Sequence, residues 1–344
     1  METITMKHCI GFGILISTLL VHCNEPSGSI KSRIIVCTDI NNAAGDPDDK
    51  QSMGHLLMYA DELDIRAIIA DRWDADGINA TLEAIDAYEK DFMNPATHVK
   101  APQYPSPDSL RSLIAANAQD AQNRIIAEAR NADDRPLWIL VWGNMITVRD
   151  VLKSAPDIAD RIRLFTIGTH LRIHGEEADC RIPNWNGPGR NEVFNDPRFN
   201  KMWWIESDWT YAGMFIEPGP AAMLDSIAQY GELGHYIWQV VQPFDWAHYF
   251  RVGDTPSVTY LLDPRHDPDD PESPSWAGRY IRPFPVKRPN YYTGINGGLE
   301  WNYQNPCDTW EHAKAVEQAR MNTLYEQRQN MYNSYIRKMK ILYP

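Results

Sequence analysis

At 344 residues with 43% hydrophobic content, the chain can hold one large domain or two ordinary ones around a sizeable core. Its formal net charge of −13 argues against nucleic acid or an anionic membrane as partner, since both are polyanions. Its 12 Trp and 16 Tyr exceed what such a core needs; most are expected to be buried, and any exposed ring faces suit stacking on sugars or bases.

The N-terminus reads as an export signal. Ile10 to Val21 is an apolar run too short to span a bilayer and typical of a signal-peptide core. The only cation before it is Lys7, beside Met6, which suggests that translation starts at Met6. Leu20-Val21-His22-Cys23 resembles a bacterial lipobox, so residues 1–23 are expected to be a signal peptide, with Cys23 as lipid anchor and residues 24–31 as linker. The expected location is the periplasm or cell surface as a lipoprotein, or the medium, with that anchor as the only membrane contact. Cys37, Cys180 and Cys307 then remain, an odd number without CxxC spacing, which leaves at most one disulfide and no zinc site.

Past the linker, short apolar runs alternate with longer periodic ones. Strands are expected at Ile34–Cys37, Ile65–Ala70, Pro136–Val141 and Ile162–Ile167, and helices over residues 48–60, 78–92, 109–130 and 146–153, with a proline-rich loop at 94–107. Such alternation predicts an α/β fold with a mostly parallel, doubly wound sheet. Ligands collect at the carboxyl ends of strands in such sheets, where Asp39, Trp142 and Thr169 fall. Residues 172–190 read as a polar loop containing Trp185. A helix is expected from Asp196-Pro197 towards Trp203-Trp204-Ile205, and others over 220–230 and 236–250. Residues 263–274 read as a surface loop. One domain is expected over 32–310, with a helical C-terminal extension over 311–344.

The stretch from Arg33 to Asp49 is the chemical centre. Asp39 follows the first strand, a loop with Gly45 and Pro47 comes next, and Asp48 and Asp49 open a helix. Carboxylates held together at a strand end repel unless a cation neutralises them, and an oxygen-liganded ion such as Ca²⁺ suits them. Asp46, Asp48 and Asp49 equally fit a solvated turn with an Asp-capped helix.

Asp39 with Asp48 and Asp49 resembles the nucleoside hydrolase signature DxDxGxDD. The resemblance implies that Asp39 is a Ca²⁺ ligand and general base, that Asp48 binds a sugar hydroxyl and that Asp49 is the bidentate ligand. Val141-Trp142-Gly143-Asn144 resembles the family's middle strand and turn, which implies the Trp142 carbonyl as a neutral ligand; Gly253-Asp254-Thr255-Pro256-Ser257-Val258 resembles its late motif and implies Asp254 as the last metal carboxylate. Asn191-Glu192, ahead of Asp196-Pro197, resembles the segment that grips sugar hydroxyls. The stretches TDINNAAGDPDDKQSMGHLLMYAD, RPLWILVWG, GDTPSVTYLL and PSWAGRY are similar to a secreted bacterial nucleoside hydrolase-like branch often labelled cellulose-binding. That resemblance covers its N-terminal, nucleoside hydrolase-like domain only.

Two departures bear on mechanism. Cys37 stands where the signature has its first Asp, and Gly253 stands where many members have a His that protonates the departing base. His248, the nearest upstream imidazole, reads as structural. His170 and His174 lack the glutamate of a zinc helix motif, while Trp185 and Arg190 precede the sugar-gripping segment. The expected activity is Ca²⁺-dependent hydrolysis of a glycosidic, N-ribosyl-like bond, with water activated by the metal and Asp39. The alternative is a surface glycan-binding protein that keeps the metal and sugar site without turnover. In both readings the ligand is a small-molecule sugar, a nucleoside or a glycan.

Overall fold

A computed structural model describes residues 30–43, 47–74, 76–167, 171–174, 177–183, 187–216, 221–244, 251–303 and 306–344, with backbone alone at 171–174, 177–183, 187–188, 221–222 and 306–307. The signal peptide, Cys23, Thr169, His170, Trp185 and His248 lie outside the described residues.

β1 (Ser32–Thr38) is covered on both faces, with Ile34 and Val36 in one core layer and Ile35 and Cys37 in the other, so it reads as a continuous apolar run. α1 (Asp48–Met58) and β2 (Leu63–Ala70) follow, β2 lying parallel to β1. Then come α2 (Gly77–Met93), α3 (Pro107–Ser112) and α4 (Ala118–Arg130). The single helix expected over 109–130 is thus two, because the Asn117 side chain accepts the Asp120 N–H at 3.0 Å and caps a new start. β3 (Leu137–Val141), α5 (Ile146–Ser154) and β4 (Ile162–Ile167) complete the half that the periodicity anticipates.

The second half departs further from expectation. The loop expected at 172–190 contains a hairpin of β5 (Leu171–His174) and β6 (Glu177–Pro183), and leads into α6 (Gly187–Asn195). The helix expected at Asp196-Pro197 is a single 3-10 turn over Pro197–Phe199, after which Trp203-Trp204-Ile205 belong to β7 (Trp203–Ser207). α7 (Ala221–Ile227) and α8 (Gly231–Gln239) divide before Gly231, where φ is +66° and a Cβ would lie 2.1 Å from Tyr343 Cε1. The helix expected over 236–250 therefore starts earlier and stops at Gln239. α9 (Thr255–Leu262), β8 (Tyr280–Ile281), β9 (Tyr291–Gly294) and α10 (Ala313–Leu342) close the chain.

The sheet order is β2-β1-β3-β4-β7-β9-β8, parallel throughout except for β8 against β9. This is the mostly parallel, helix-covered α/β fold that the alternation predicts. One core layer joins α1, α2, α8, α9 and α10, and the other joins α4 and α5. α10 ties residues far apart in sequence. The Leu342 carbonyl accepts the His98 N–H at 2.8 Å, Lys338 meets Asp61 at 2.7 Å, and the Tyr343 hydroxyl donates to Asp91 at 2.8 Å.

Candidate metal centre

β1 ends level with its neighbours. Thr38 pairs with Ala70 and Cys37 with Val141, so Asp39, Asp71 and Trp142 leave the sheet together at its carboxyl edge. Two main-chain bonds hold the edge, from Asp71 N to Thr38 O at 3.0 Å and from Trp142 N to Cys37 O at 2.7 Å.

α1 brings the next two carboxylates. Asp48 and Asp49 occupy its first turn, where the helix dipole favours negative charge, and both are buried. The polar face of α1 then grips the late motif. Gln51 Oε1 accepts Arg251 N at 2.8 Å and Val252 N at 3.3 Å, and Ser52 Oγ accepts Asp254 N at 3.2 Å. Val252 is held there at φ +35°, uncommon for a β-branched residue. From the other side, the Trp142 indole donates to Ser257 Oγ at 2.7 Å, and that hydroxyl donates to the Asp254 carbonyl at 2.8 Å. Asp254 is thereby fixed against α1 by Ser52 and against β3 by Trp142.

The outcome is a cluster in which Asp48, Asp49 and Asp254, all buried, each offer a carboxylate oxygen within 4.8 Å of the others. Burial pushes Asp49 well above the usual carboxylate range, with the charges of Asp254, Asp39 and Asp48 adding to the effect, while the Thr38 hydroxyl, which donates to Asp49 Oδ1, opposes it. Negative charge thus accumulates beyond what Arg251 offsets, its Nε lying 3.9 Å from Asp48 Oδ2. An all-oxygen set of converging carboxylates fits a hard divalent cation, which would remove this penalty.

Asp39 adjoins the cluster through its effect on Asp49, and Gly143 packs against it: a Cβ at Gly143 would lie 2.6 Å from Asp39 Cγ. The Trp142–Gly143 main chain therefore runs beside Asp39. Asn191 and Glu192 are placed differently from expectation. Asn191 Oδ1 accepts from Arg190 at 3.1 Å, while Glu192 is exposed and pairs with Arg149 at 2.8 Å and with Lys153. In α6 it is Arg190 that turns inward, its guanidinium held by Glu206 Oε1 and Oε2 at 2.7 and 2.6 Å. That Arg190 turns inward while Glu192 pairs at the surface is a matter of helical phase, since residues i and i+2 of α6 point nearly opposite ways.

Asp71 is a fifth acidic group, one that the sequence reading passed over. Its carboxyl is raised by burial and by Asp39, and its Oδ1 is 3.4 Å from Asn144 Nδ2. Its only sequence signal was its place one residue after a strand. Cys37 faces the core, its thiol pushed up by burial and Asp71, and contributes no ligand.

Gly253 packs directly on the cluster. A Cβ there would lie 2.2 Å from Asp48 Oδ2 and 2.7 Å from Phe215 Cζ. Gly253→Ala is expected to displace Asp48, lower calcium affinity more than tenfold by calorimetry, and cost about 1–3 kcal/mol of stability as overpacking does.

His55 completes the polar face of α1, its Nδ1 3.0 Å from Thr255 Oγ1 and its ring 4.5 Å from that of Tyr335. Burial lowers its pKa from 6.5 to about 3. The folded state therefore favours the neutral ring, so its contribution is complete above about pH 6.5 and is lost as pH falls towards 3. Asp49 acts oppositely in calcium-free protein, because a raised carboxyl favours the native state at low pH. Urea midpoints of the parent and of His55→Gln should therefore converge as pH drops from 7 to 4.5, an expectation that parallel curves would overturn.

A mostly parallel sheet with aspartates clustered beyond the carboxyl ends of its strands is an α/β architecture similar to that of nucleoside hydrolases. The chain belongs to the family described as cellulose-binding Sde182, nucleoside hydrolase-like domain, which it matches over residues 33–280. Among solved structures it is similar to a nucleoside hydrolase-related hypothetical protein from Saccharophagus degradans that is associated with carbohydrate metabolism, at 20% identity and a TM-score of 0.54 over 87% of this chain and 73% of that one. It is also similar to an inosine-guanosine nucleoside hydrolase at 13% identity and a TM-score of 0.50, over 84% and 98% of the two chains. At these identities the likeness is one of fold. A search of curated proteins returned no match.

Proposed function

We propose that the protein is a Ca²⁺-dependent hydrolase of a glycosidic bond in a ribose-like or related sugar. The observation that carries this reading is the convergence of Asp48, Asp49 and Asp254, from two elements about two hundred residues apart, at the ligand-binding edge of the sheet. When bound among them, with the Trp142 carbonyl as neutral ligand, Ca²⁺ supplies Lewis acidity to a water and to sugar hydroxyls.

The chain's own groups do the rest. Asp39 accepts the proton of the attacking water as it approaches an anomeric carbon. Asp48 accepts a hydrogen bond from a sugar hydroxyl, with the Arg251 guanidinium 3.9 Å away on its other side. Gly143 leaves the Asp39 carboxyl uncovered on that side, since any Cβ would overlap it. Asn191 and Glu192 are not assigned a role in sugar binding.

One observation favours the alternative of glycan binding without turnover. Gly253 abuts Asp48 and Phe215, which leaves no room for a proton donor at the residue before Asp254. Incubation with Ca²⁺ and a panel of ribonucleosides and oligosaccharides decides the matter. Free base or reducing sugar supports the enzyme, and sugar binding with no release of either supports the binding protein.

A further inference from the structure

The three carboxylates of the cluster carry the same charge and lie within 4.8 Å of one another, so their convergence alone does not say which of them serve a cation. A basic side chain sorts them. Arg251 Nε is 3.9 Å from Asp48 Oδ2, beyond hydrogen-bond reach but inside ion-pair range, and only 17% of the Arg251 side chain is exposed.

This charge is built in. The guanidinium carbon sits 4.1 Å from the centroid of the Phe215 ring, a cation–π contact that fixes its plane, and the Arg251 N–H donates to Gln51 on the helix whose first turn carries Asp48. Gly253 keeps the place open. A Cβ there would lie 2.2 Å from Asp48 Oδ2 and 2.7 Å from Phe215 Cζ, the same two groups that Arg251 touches, so any side chain at 253 would compete with the guanidinium for them.

Phe215 is itself anchored from behind. It ends the 3-10 helix Thr210–Phe215, which approaches α10 so closely that a Cβ at Gly213 would lie 2.4 Å from the Met321 carbonyl oxygen. Arg328 of α10 donates to the carbonyls of Gly213 and Met214 at 3.4 and 3.0 Å, which fixes the two residues before Phe215. The C-terminal helix thus builds the platform on which Arg251 rests.

The carboxylates are therefore not equivalent. Arginine keeps its charge at any working pH, so Asp48 has a permanent counter-ion that also repels a divalent cation approaching the same oxygen. Asp49 instead accepts from the Thr38 hydroxyl, a neutral donor, and Asp254 is anchored through its main-chain N–H and carbonyl. We propose that Arg251 is a positioning residue that holds Asp48 off the metal and reserves it for the sugar, leaving Asp49 and Asp254 as the cluster's metal carboxylates. This rests on the cluster reading for the metal itself.

The test is calcium calorimetry on the full chain in four forms, the parent, R251M, D48N and the double variant. R251M is expected to bind calcium about fivefold more tightly, because a like charge beside the site is gone. If charge were the whole effect, D48N would cost the same affinity with and without Arg251. Once Arg251 is absent, however, Asp48 turns to the metal, so D48N is expected to cost about tenfold more in the R251M background than in the parent. R251K keeps the charge but loses the planar stack, and its calcium affinity should fall between those of the parent and R251M. Should R251M fail to fold, R251K with and without D48N carries the same comparison. Thermal melts supply a second readout, in which R251M gains more from calcium than the parent does. Equal costs of D48N in the two backgrounds, or calcium binding by R251M no tighter than by the parent, overturns the proposal. The two readings fail separately. A parent that binds no calcium removes the cluster reading and this proposal with it, whereas a parent that binds calcium with strictly additive variants removes the proposal alone.

Discussion

Asp254→Asn is expected to abolish calcium-dependent stabilisation while leaving the calcium-free protein at least as stable as the parent. The two halves of that result have one cause. Without a cation, Asp254 crowds Asp48 and Asp49 and helps to push the Asp49 carboxyl up, so removing its charge relieves repulsion. With a cation present, the same charge is what holds it. A ligand at a hundred times its dissociation constant adds about 2.7 kcal/mol to a native state that alone binds it, or about 5 °C for a chain of this size. Thermal melts with calcium and with chelator should thus separate by about 5 °C for the parent and coincide for the variant. A variant that still gains the full shift would remove Asp254 from the site, and with it the claim that the late motif completes the cluster.

The largest purely structural effect is expected from Arg190→Leu, at about 3–5 kcal/mol of lost stability, the usual cost of leaving a buried charge uncompensated. Glu206 is 1% exposed and takes two charge-assisted bonds from Arg190, with the Tyr291 hydroxyl as a further donor. The guanidinium also lies 4.2 Å from the Phe194 ring centroid, so its removal loses packing as well as charge. The double variant Arg190→Leu with Glu206→Gln should recover much of the loss, because the stranded carboxylate is then gone. Chemical denaturation of both variants checks this. If Arg190 contacted ligand instead, the single variant would lose sugar affinity at unchanged stability.

The parts of the fold that the sequence announces are those with strong periodicity. β1, β2, β3 and β4 each carry a run of buried apolar residues, followed by Asp39, Asp71, Trp142-Gly143 and Gly168. Asp39, Asp48, Asp49 and Asp254 were legible because clustered or motif-bound carboxylates in an otherwise apolar setting call for a chemical reason. β8 and β9 were not, since two and four residues carry no measurable alternation. The hairpin of β5 and β6 reads as polar loop because strands of four and seven residues are set among charged, Gly and Pro residues. That Arg190 turns inward and Glu192 outward was not legible, because sequence spacing gives no helical phase until the start of α6 is known. Asp71 was missed because a single Asp after a strand looks like any turn residue, and only the pairing of β2 with β1 brings it to Asp39.

The attachment of α10 also bears on how the chain reaches its native state. Its bonds to Asp61, Asp91 and His98 close loops of roughly 250 residues, and closing such loops is entropically unfavourable until much else has formed. Docking of this helix is therefore expected late, with the core layer it shares with α1 and α8 completed only then. In a refolding time course, amide protection at Lys338 and His98 should appear together and after that of β1 and β3. The last element to settle would then be the one that packs on His55, on the helix whose first turn carries Asp48 and Asp49.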